Sequence, residues 1–152
     1  MSNNSVNIKN RKARFEFAIQ EEFVAGIQLL GTEIKSIRES KASIGEAYCV
    51  VQNGEVFLRN SYVDEYENGG HFNHEVRRDR KLLLNRTEIN KIHKKLKTKG
   101  WTLIPLNLFV NEKGLAKLKI GLGQGKKLHD KRESIKDRDN KRALDRLKKN
   151  FG

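Results

Sequence analysis

The chain is poor in residues that staple or interrupt a fold: its 152 residues include one cysteine and one proline. Cys49 has no partner, so no disulfide holds the fold together, and a lone cysteine in a small basic protein fits a reducing cytosol. Long apolar runs are missing too. Met1–Asn10 lacks the apolar stretch of a signal peptide, and nowhere does the chain approach the roughly 20 apolar residues of a spanning helix. A soluble, cytoplasmic protein with no membrane partner is expected. Acidic residues are absent from the first 14 positions, which carry Lys9, Arg11, Lys12 and Arg14.

What is present is positive charge, unevenly placed. Of the net +13, residues 126–152 hold eleven Lys/Arg against five Asp/Glu, while the middle from Phe15 to Gly125 holds seventeen against fourteen. Within that middle, Arg77–Lys99 gathers ten basic residues against Asp79 and Glu88, leaving the remainder net acidic. Basic patches on a near-neutral body, with a pI of about 10.0, make nucleic acid the first partner to consider. The last segment offers little more to bury than Leu128, Ile135, Ala143, Leu144, Leu147 and Phe151. It is expected not to fold alone and to be ordered by something acidic.

The middle is long enough for a single core. Odd positions from Phe15 to Leu29 are apolar apart from Glu21, the period of two strands or one long bent strand with one dry face. Ile34 and Ile37 predict a short helix ending before Lys41. Asn53-Gly54 between Ala47–Gln52 and Glu55–Ser61 predicts a tight type I′ hairpin. A second hairpin follows at Asn111–Gly114, where Ala116, Leu118, Ile120 and Leu122 alternate with Lys117 and Lys119, so that one face is dry and the other basic. Pro105 cannot donate to a ladder and belongs at an edge or bulge. Between the hairpins, Asn85 and Glu88 have the spacing of a capping box, with Leu84 able to staple onto Ile89. Ile89, Ile92 and Leu96 form the buried stripe of that longer helix, Gly100 its stop, and Lys91, Lys94, Lys95 and Lys97 its exposed face. Six or so antiparallel strands with one long and one short helix fit a small closed barrel, because closure removes exposed edges. The expected class is mainly β with helices (α+β).

Catalysis finds no support. Gly121–Lys127 fails the phosphate-loop spacing, which would need Gly at Ile120 and Ser or Thr at Lys127, and these glycines are expected to end the last strand. His71 and His74 lack companions for a metal set and are expected in a solvated loop beside Gly69-Gly70. His129-Asp130 has the look of a metal-dependent phosphohydrolase dyad without the remaining ligands. No enzyme activity, cofactor or metal is expected.

Several strings together resemble one family: Asn10–Arg14, Glu22-Phe23 with Ala25-Gly26, Gly31–Ser36, Asn53–Glu55, Arg78–Asn85 and Gly125–Arg132, in order along nearly the whole chain. The resemblance is to the SsrA-binding proteins, also called small protein B, partners of transfer-messenger RNA in bacterial ribosome rescue. It implies an oligonucleotide-binding-like barrel over residues 1–130 that holds the tRNA-like part of that RNA. It also implies that a basic tail over 131–152 probes the decoding centre and the empty messenger channel. From its composition that tail is expected to be disordered when free, and the near-helical spacing of Ala143, Leu144, Leu147 and Phe151 predicts that it becomes partly helical on the ribosome. By motif position, the RNA-facing residues would include Asn10, Leu83 and Asn85, helped by Arg11, Lys12, Arg14, Arg80 and Lys81. Asn85 is also the expected helix cap, and Leu83 has a plain core role as its alternative. In the tail the ribosome-facing residues would be Lys126, Lys127, His129, Asp130, Lys131, Arg132, Lys136 and Arg138, with His129 suited to stack on a base and Lys131 and Arg132 to bridge phosphates. Val24 stands where the family often has Glu before Ala-Gly, and Asn140 where an aromatic commonly follows the basic stretch. The protein is expected to be monomeric.

Overall fold

A computed structural model describes residues 6–126. Both predicted hairpins form, each for the local reason the sequence gives. Asn53 and Gly54 take φ of +54° and +76°, the left-handed pair that a two-residue I′ turn demands, and join β4 (Tyr48–Gln52) to β5 (Glu55–Arg59). Asn111 folds the second turn: its Oδ1 accepts from the N–H groups of Lys113 and Leu115 at 3.0 and 2.9 Å, joining β8 (Trp101–Val110) to β9 (Ala116–Gly125). Helix α3 (Arg86–Leu96) starts on the expected box, with Glu88 N–H donating to Asn85 Oδ1 at 2.8 Å and Asn85 N–H to Glu88 Oε1 at 3.0 Å. Two more helices precede it, α1 (Ala13–Glu16) and α2 (Gly31–Arg38), so the described residues hold three α-helices rather than one long and one short.

Nine strands among the described residues exceed the six or so expected, because β1 (Asn7–Lys9), β3 (Ala42–Ser43) and β6 (Tyr62–Val63) are too short to show a period. The others are β2 (Phe17–Ile27) and β7 (Arg80–Leu83). Seven run antiparallel in the order β1-β8-β9-β2-β7-β5-β4, and β3 pairs with β6 apart from them. The closed barrel expected from the sequence is not formed. The sheet curls until β4 lies alongside β8, but no ladder joins them. A cleft of about 240 Å³ separates Gly45–Tyr48 from Thr102–Pro105, and Asn10, Ala13 and Phe17 line it as well. Pro105 has no N–H to offer across that gap.

One long bent strand is the form that Phe15–Leu29 takes from Phe17 onward, and its bend is a bulge. The β2–β9 register passes from Ile19↔Gly123 to Glu21↔Leu122, leaving Gln20 unmatched. The extra residue reverses the faces. Phe23, Ala25 and Ile27 enter the main core with Leu58, Leu82, Ile92, Leu118 and Ile120, whereas Phe17 and Ile19 pack on the opposite face with Ala13, Ile104 and Leu106. A matching register shift in β8 between Pro105 and Asn107 puts the proline at a bulge, as its missing donor requires. Leu82 and Ile92 are wholly buried, each contributing about 1.5–3 kcal/mol.

Of the glycines of β9, Gly125 ends the strand as expected, whereas Gly121 and Gly123 are inside it. A Cβ on Gly123 would stand 2.3 Å from the Ala18 carbonyl oxygen, and one on Gly121 2.9 Å from Ile19 Cγ2, so the bulged stretch of β2 sits where side chains would be. Gly123→Ala is therefore expected to cost about 3 kcal/mol, while Gly31→Ala, which meets nothing within 4 Å, changes stability by no more than about 1 kcal/mol. Urea denaturation of the two variants checks the contrast.

Candidate nucleic-acid interface

Alternation along β9, β2 and β7 sends one set of side chains to the core and the other to a single outer surface. On that surface Val24 lies opposite Lys119, and Gly26 lies between Lys117 and Leu83. Leu83 is half exposed while its neighbour Leu82 is buried, so the core alternative for Leu83 does not hold. Lys81 shares its face and reaches Glu55 at 3.8 Å. Asn85 follows at the end of β7, where it caps α3 and remains exposed.

Two concavities flank this surface. One, of about 420 Å³, is basic: Lys9, Arg11 and Arg14 from the N-terminal segment face Lys119 across Asn10 and Asn107. Arg14 donates to Glu22 Oε2 at 2.6 Å, and that hydrogen bond outweighs the opposing desolvation and, with the charges of Arg14 and Lys119, holds the Glu22 carboxyl below its ordinary range. Lys12 reaches Glu46 at 3.2 Å on the other side of the segment. Asn10 pins the segment to the bulge of β8, its N–H donating to Leu106 O at 2.8 Å and its Nδ2 to Pro105 O at 2.9 Å. The second concavity, of about 350 Å³, is apolar, formed by Ile27, Leu30, Ile34, Leu83 and Leu115 around Gly26 and Gly31, with Arg38 and Lys117 at its rim. Phosphates suit the first; the flat face of a base or sugar suits the second.

Arg80 does not join this surface. It belongs to the core-facing set of β7, is 1% exposed, and donates from Nε to Glu33 Oε2 at 2.9 Å and from Nη1 to Ser61 Oγ at 2.8 Å. Glu33 is fully buried on α2 and also receives Arg78, at 2.7 and 3.0 Å. Burial works to raise the Glu33 pKa, but the Arg78 bonds, the Leu30 N–H at 2.8 Å and the charges of Arg80 and Arg78 outweigh it and leave the carboxyl ionised below its usual range. Burial depresses Arg80 in turn, against the pull of Glu33. The sequence reading missed this triad because its members lie 45 and 47 residues apart; an acid beside the buried stripe of α2 was the only signal.

His74 is a further correction. It is buried, not solvated, its Nδ1 paired with Thr32 Oγ1 at 2.8 Å and its Nε2 with Val63 O at 2.9 Å. His71 stays exposed on a 3₁₀ turn (Gly70–Phe72). Among the described residues no group of three His, Cys, Asp or Glu is gathered to hold a metal ion, and no helix is long and apolar enough to cross a membrane. Burial pushes the Cys49 thiol well above its ordinary pKa, so it is unreactive. Lys126 is exposed, its N–H on Glu16 O at 2.8 Å. Lys127, His129, Asp130, Lys131, Arg132, Lys136, Arg138 and Asn140 lie outside the described residues, as does the segment 131–152.

Residues 7–150 match the family described as SmpB protein. Among similar proteins, the SsrA-binding proteins of Christiangramia forsetii and Flavobacterium johnsoniae are each 55% identical, over 97% of this chain and 94% and 97% of theirs. That of Bacteroides thetaiotaomicron is 50% identical over 97% of this chain and 98% of its own. A solved chain described as "tmRNA-SmpB: a journey to the center of the bacterial ribosome" is 40% identical with a TM-score of 0.71, covering 86% of this chain and 95% of that one.

The buried triad generates a pH signature. Because the folded pKa of Glu33 is lowered, its contribution is present above the unfolded carboxylate value of about 4.3 and is lost as pH falls through the folded value. Glu33→Gln is expected to cost about 3 kcal/mol or more at pH 7, since it strands two arginines, and to flatten the loss of stability below about pH 4. Denaturant titrations at pH 7, 5 and 3 read both effects.

Proposed function

This chain belongs to the SmpB protein family, and from that premise we propose that it binds transfer-messenger RNA and carries it to stalled bacterial ribosomes, acting as a cytoplasmic RNA-binding module and not as an enzyme. The curled sheet serves as an oligonucleotide-binding-like platform. Its outer surface over β9, β2 and β7 takes the tRNA-like part of the RNA, with Arg11, Arg14, Lys81 and Lys119 on phosphates and Leu83 against a base or sugar. The observation that carries this reading is the joining of a basic hollow and an apolar hollow on one face, where Lys119 and Leu83 stand on strands either side of β2. Arg80 acts beneath the surface as a positioning residue. Val24, half exposed at the centre, offers an apolar contact where a carboxylate would have offered a hydrogen bond.

The tail from Lys126 onward supplies what a vacant ribosome lacks, a strand in the messenger channel. Its eleven basic residues against five acidic ones are suited to channel walls made of RNA, which would order it by neutralising charge.

At one fixed salt concentration the protein is expected to prefer the tRNA-like domain of transfer-messenger RNA over an arbitrary tRNA by more than about tenfold, or 1.4 kcal/mol. Equal affinity would make it a general RNA binder. Leu83→Ala is expected to weaken binding by about 1 kcal/mol or more without changing the salt slope, whereas Arg11→Gln and Lys119→Gln each flatten the slope by about 1. Truncation after Lys127 is expected to leave affinity and thermal stability nearly unchanged while abolishing peptide tagging on stalled ribosomes, as read in a reconstituted translation assay.

A further inference from the structure

The interface just described leaves one strongly charged surface unused. Lys91, Lys94, Lys95, Lys97 and Lys99 follow one another on the second half of α3 and the turn beyond it, with no acidic residue among them. All five are exposed. Two have local work: Lys91 reaches Glu21 at 2.6 Å, and Lys95 stands 4.5 Å over the Trp101 ring. Among the described residues the side chains of Lys94, Lys97 and Lys99 have neither ion pair nor hydrogen-bonded partner, Lys97 N–H donating only to the Lys94 carbonyl. The helix dipole accounts for a cation or two in the last turn. It does not account for five, because lysines three and four apart repel one another along the helix. A helix that keeps such an arrangement is suited to a polyanion.

Position separates this surface from the first. Ile89 and Ile92 seat α3 on the main core, while Ala13, Phe17, Ile104 and Leu106 lie on the other side of the β8–β9–β2 sheet, beneath the N-terminal basic segment. The lysines and the basic hollow are therefore on opposite faces of one sheet. Position also joins the lysines to the tail. Trp101, just past Lys99, is paired with Gln124, and Gly100 comes within 4 Å of the Gln124 side-chain amide at the site of an added Cβ. Lys126 is two residues further on. The C-terminal end of α3 is thus joined through Trp101 to the end of β9, where Lys126, its N–H on the Glu16 carbonyl, opens the basic segment.

We propose that Lys94, Lys97 and Lys99 form a second phosphate-binding surface, which holds the backbone of ribosomal RNA beside the point where the tail enters, while the outer face holds the tRNA-like RNA. This deepens the functional reading above and rests on it. The surface recognises phosphate spacing and not base identity, since lysine is a flexible point charge with no fixed donor fork. Its role is to set the orientation of the body, so that the tail leaves in the direction of the channel.

The test is the triple variant Lys94→Gln, Lys97→Gln, Lys99→Gln, which spares the paired Lys91 and the stacked Lys95. Its thermal midpoint, compared with that of the parent protein, reports whether the fold is kept. Affinity of the full chain for the isolated tRNA-like RNA is expected to stay within twofold. Affinity of the preformed protein–RNA complex for vacant ribosomes is expected to fall at least tenfold, with the salt slope reduced by about 2 to 3. Ribosome affinity and slope unchanged by the substitutions would overturn this proposal alone, leaving the functional reading intact. A loss confined to the isolated RNA would also overturn it, by making α3 part of the first interface. Failure of the unsubstituted complex to bind vacant ribosomes would overturn the functional reading, and this proposal with it.

Discussion

The pairing register of β2 with its neighbours is the constraint on which the rest depends. A strand has a period of two, so moving β2 by one residue against β9 would send Phe23, Ala25 and Ile27 to water and Glu22 and Val24 into the core. Lys119, kept on the outer face by β9, would then stand opposite Phe23 or Ala25 in place of Val24. Every surface feature described above is a consequence of that phase. The bulges at Gln20 and beside Pro105 make it possible for one continuous strand to serve two clusters, the main core on one side and the small cluster beneath α1 on the other. Gly121 and Gly123 let the bulged stretch come close enough to stay paired.

The Glu33 triad controls a different coordinate, the placement of α2 and the segment 75–80 against β7. A buried ion pair is poor evidence of net stability, because desolvation offsets most of the attraction. What it supplies is geometry. Arg80 has its guanidinium shared among Glu33, Ser61 and the carbonyl of Arg78, so the core side of β7 has one arrangement that satisfies its donors. Lys81 and Leu83, on the opposite side of the same four-residue strand, inherit that fixed position. A buried arginine thus matters to the outer surface without touching anything that binds there.

How far the fold was legible follows the distance between interacting partners. The I′ turn, the Asn111 turn and the α3 cap are each decided within five residues, and residue type alone identifies them. Pro105 at a bulge follows from a missing donor. The face reversal in β2 left one trace in the sequence, the interruption of the odd apolar positions at Glu21 just past Gln20, but the period gives both stretches the same parity and does not tell that they face different partners. Arg80 was misassigned for a related reason: it sits in a basic string whose charge suggests exposure, and the period of two could have placed it beside Leu82 on the core side. Closure of the sheet depends on whether β4 and β8 meet in register, a matter of global curvature that local pattern does not encode. Lys119 was readable because alternation with Leu118 and Ile120 places it directly, whereas for Leu83 alternation left both faces open until Leu82 was seen to be buried.

Charge distribution ties these parts together. A body carrying most of a +13 charge on one face would bind any RNA there, and two polyanions would compete for it. Here the basic hollow and the α3 lysines are divided by a sheet and a helix layer. Packed layers stand about 10 Å apart, so ligands on the two faces are separated by more than the Debye length of about 8 Å at physiological salt. Their mutual repulsion is largely screened, and occupancy of one face imposes little penalty on the other. Glu21 and Glu22 sharpen the division: adjacent in β2 beyond the bulge, they point to opposite faces and pair with Lys91 on one and with Arg14 and Lys119 on the other. Each carboxylate tempers the field of its own surface, so that a phosphate gains most where it reaches cations the acid does not hold, Lys94 and Lys97 on one side and Lys9 and Arg11 on the other.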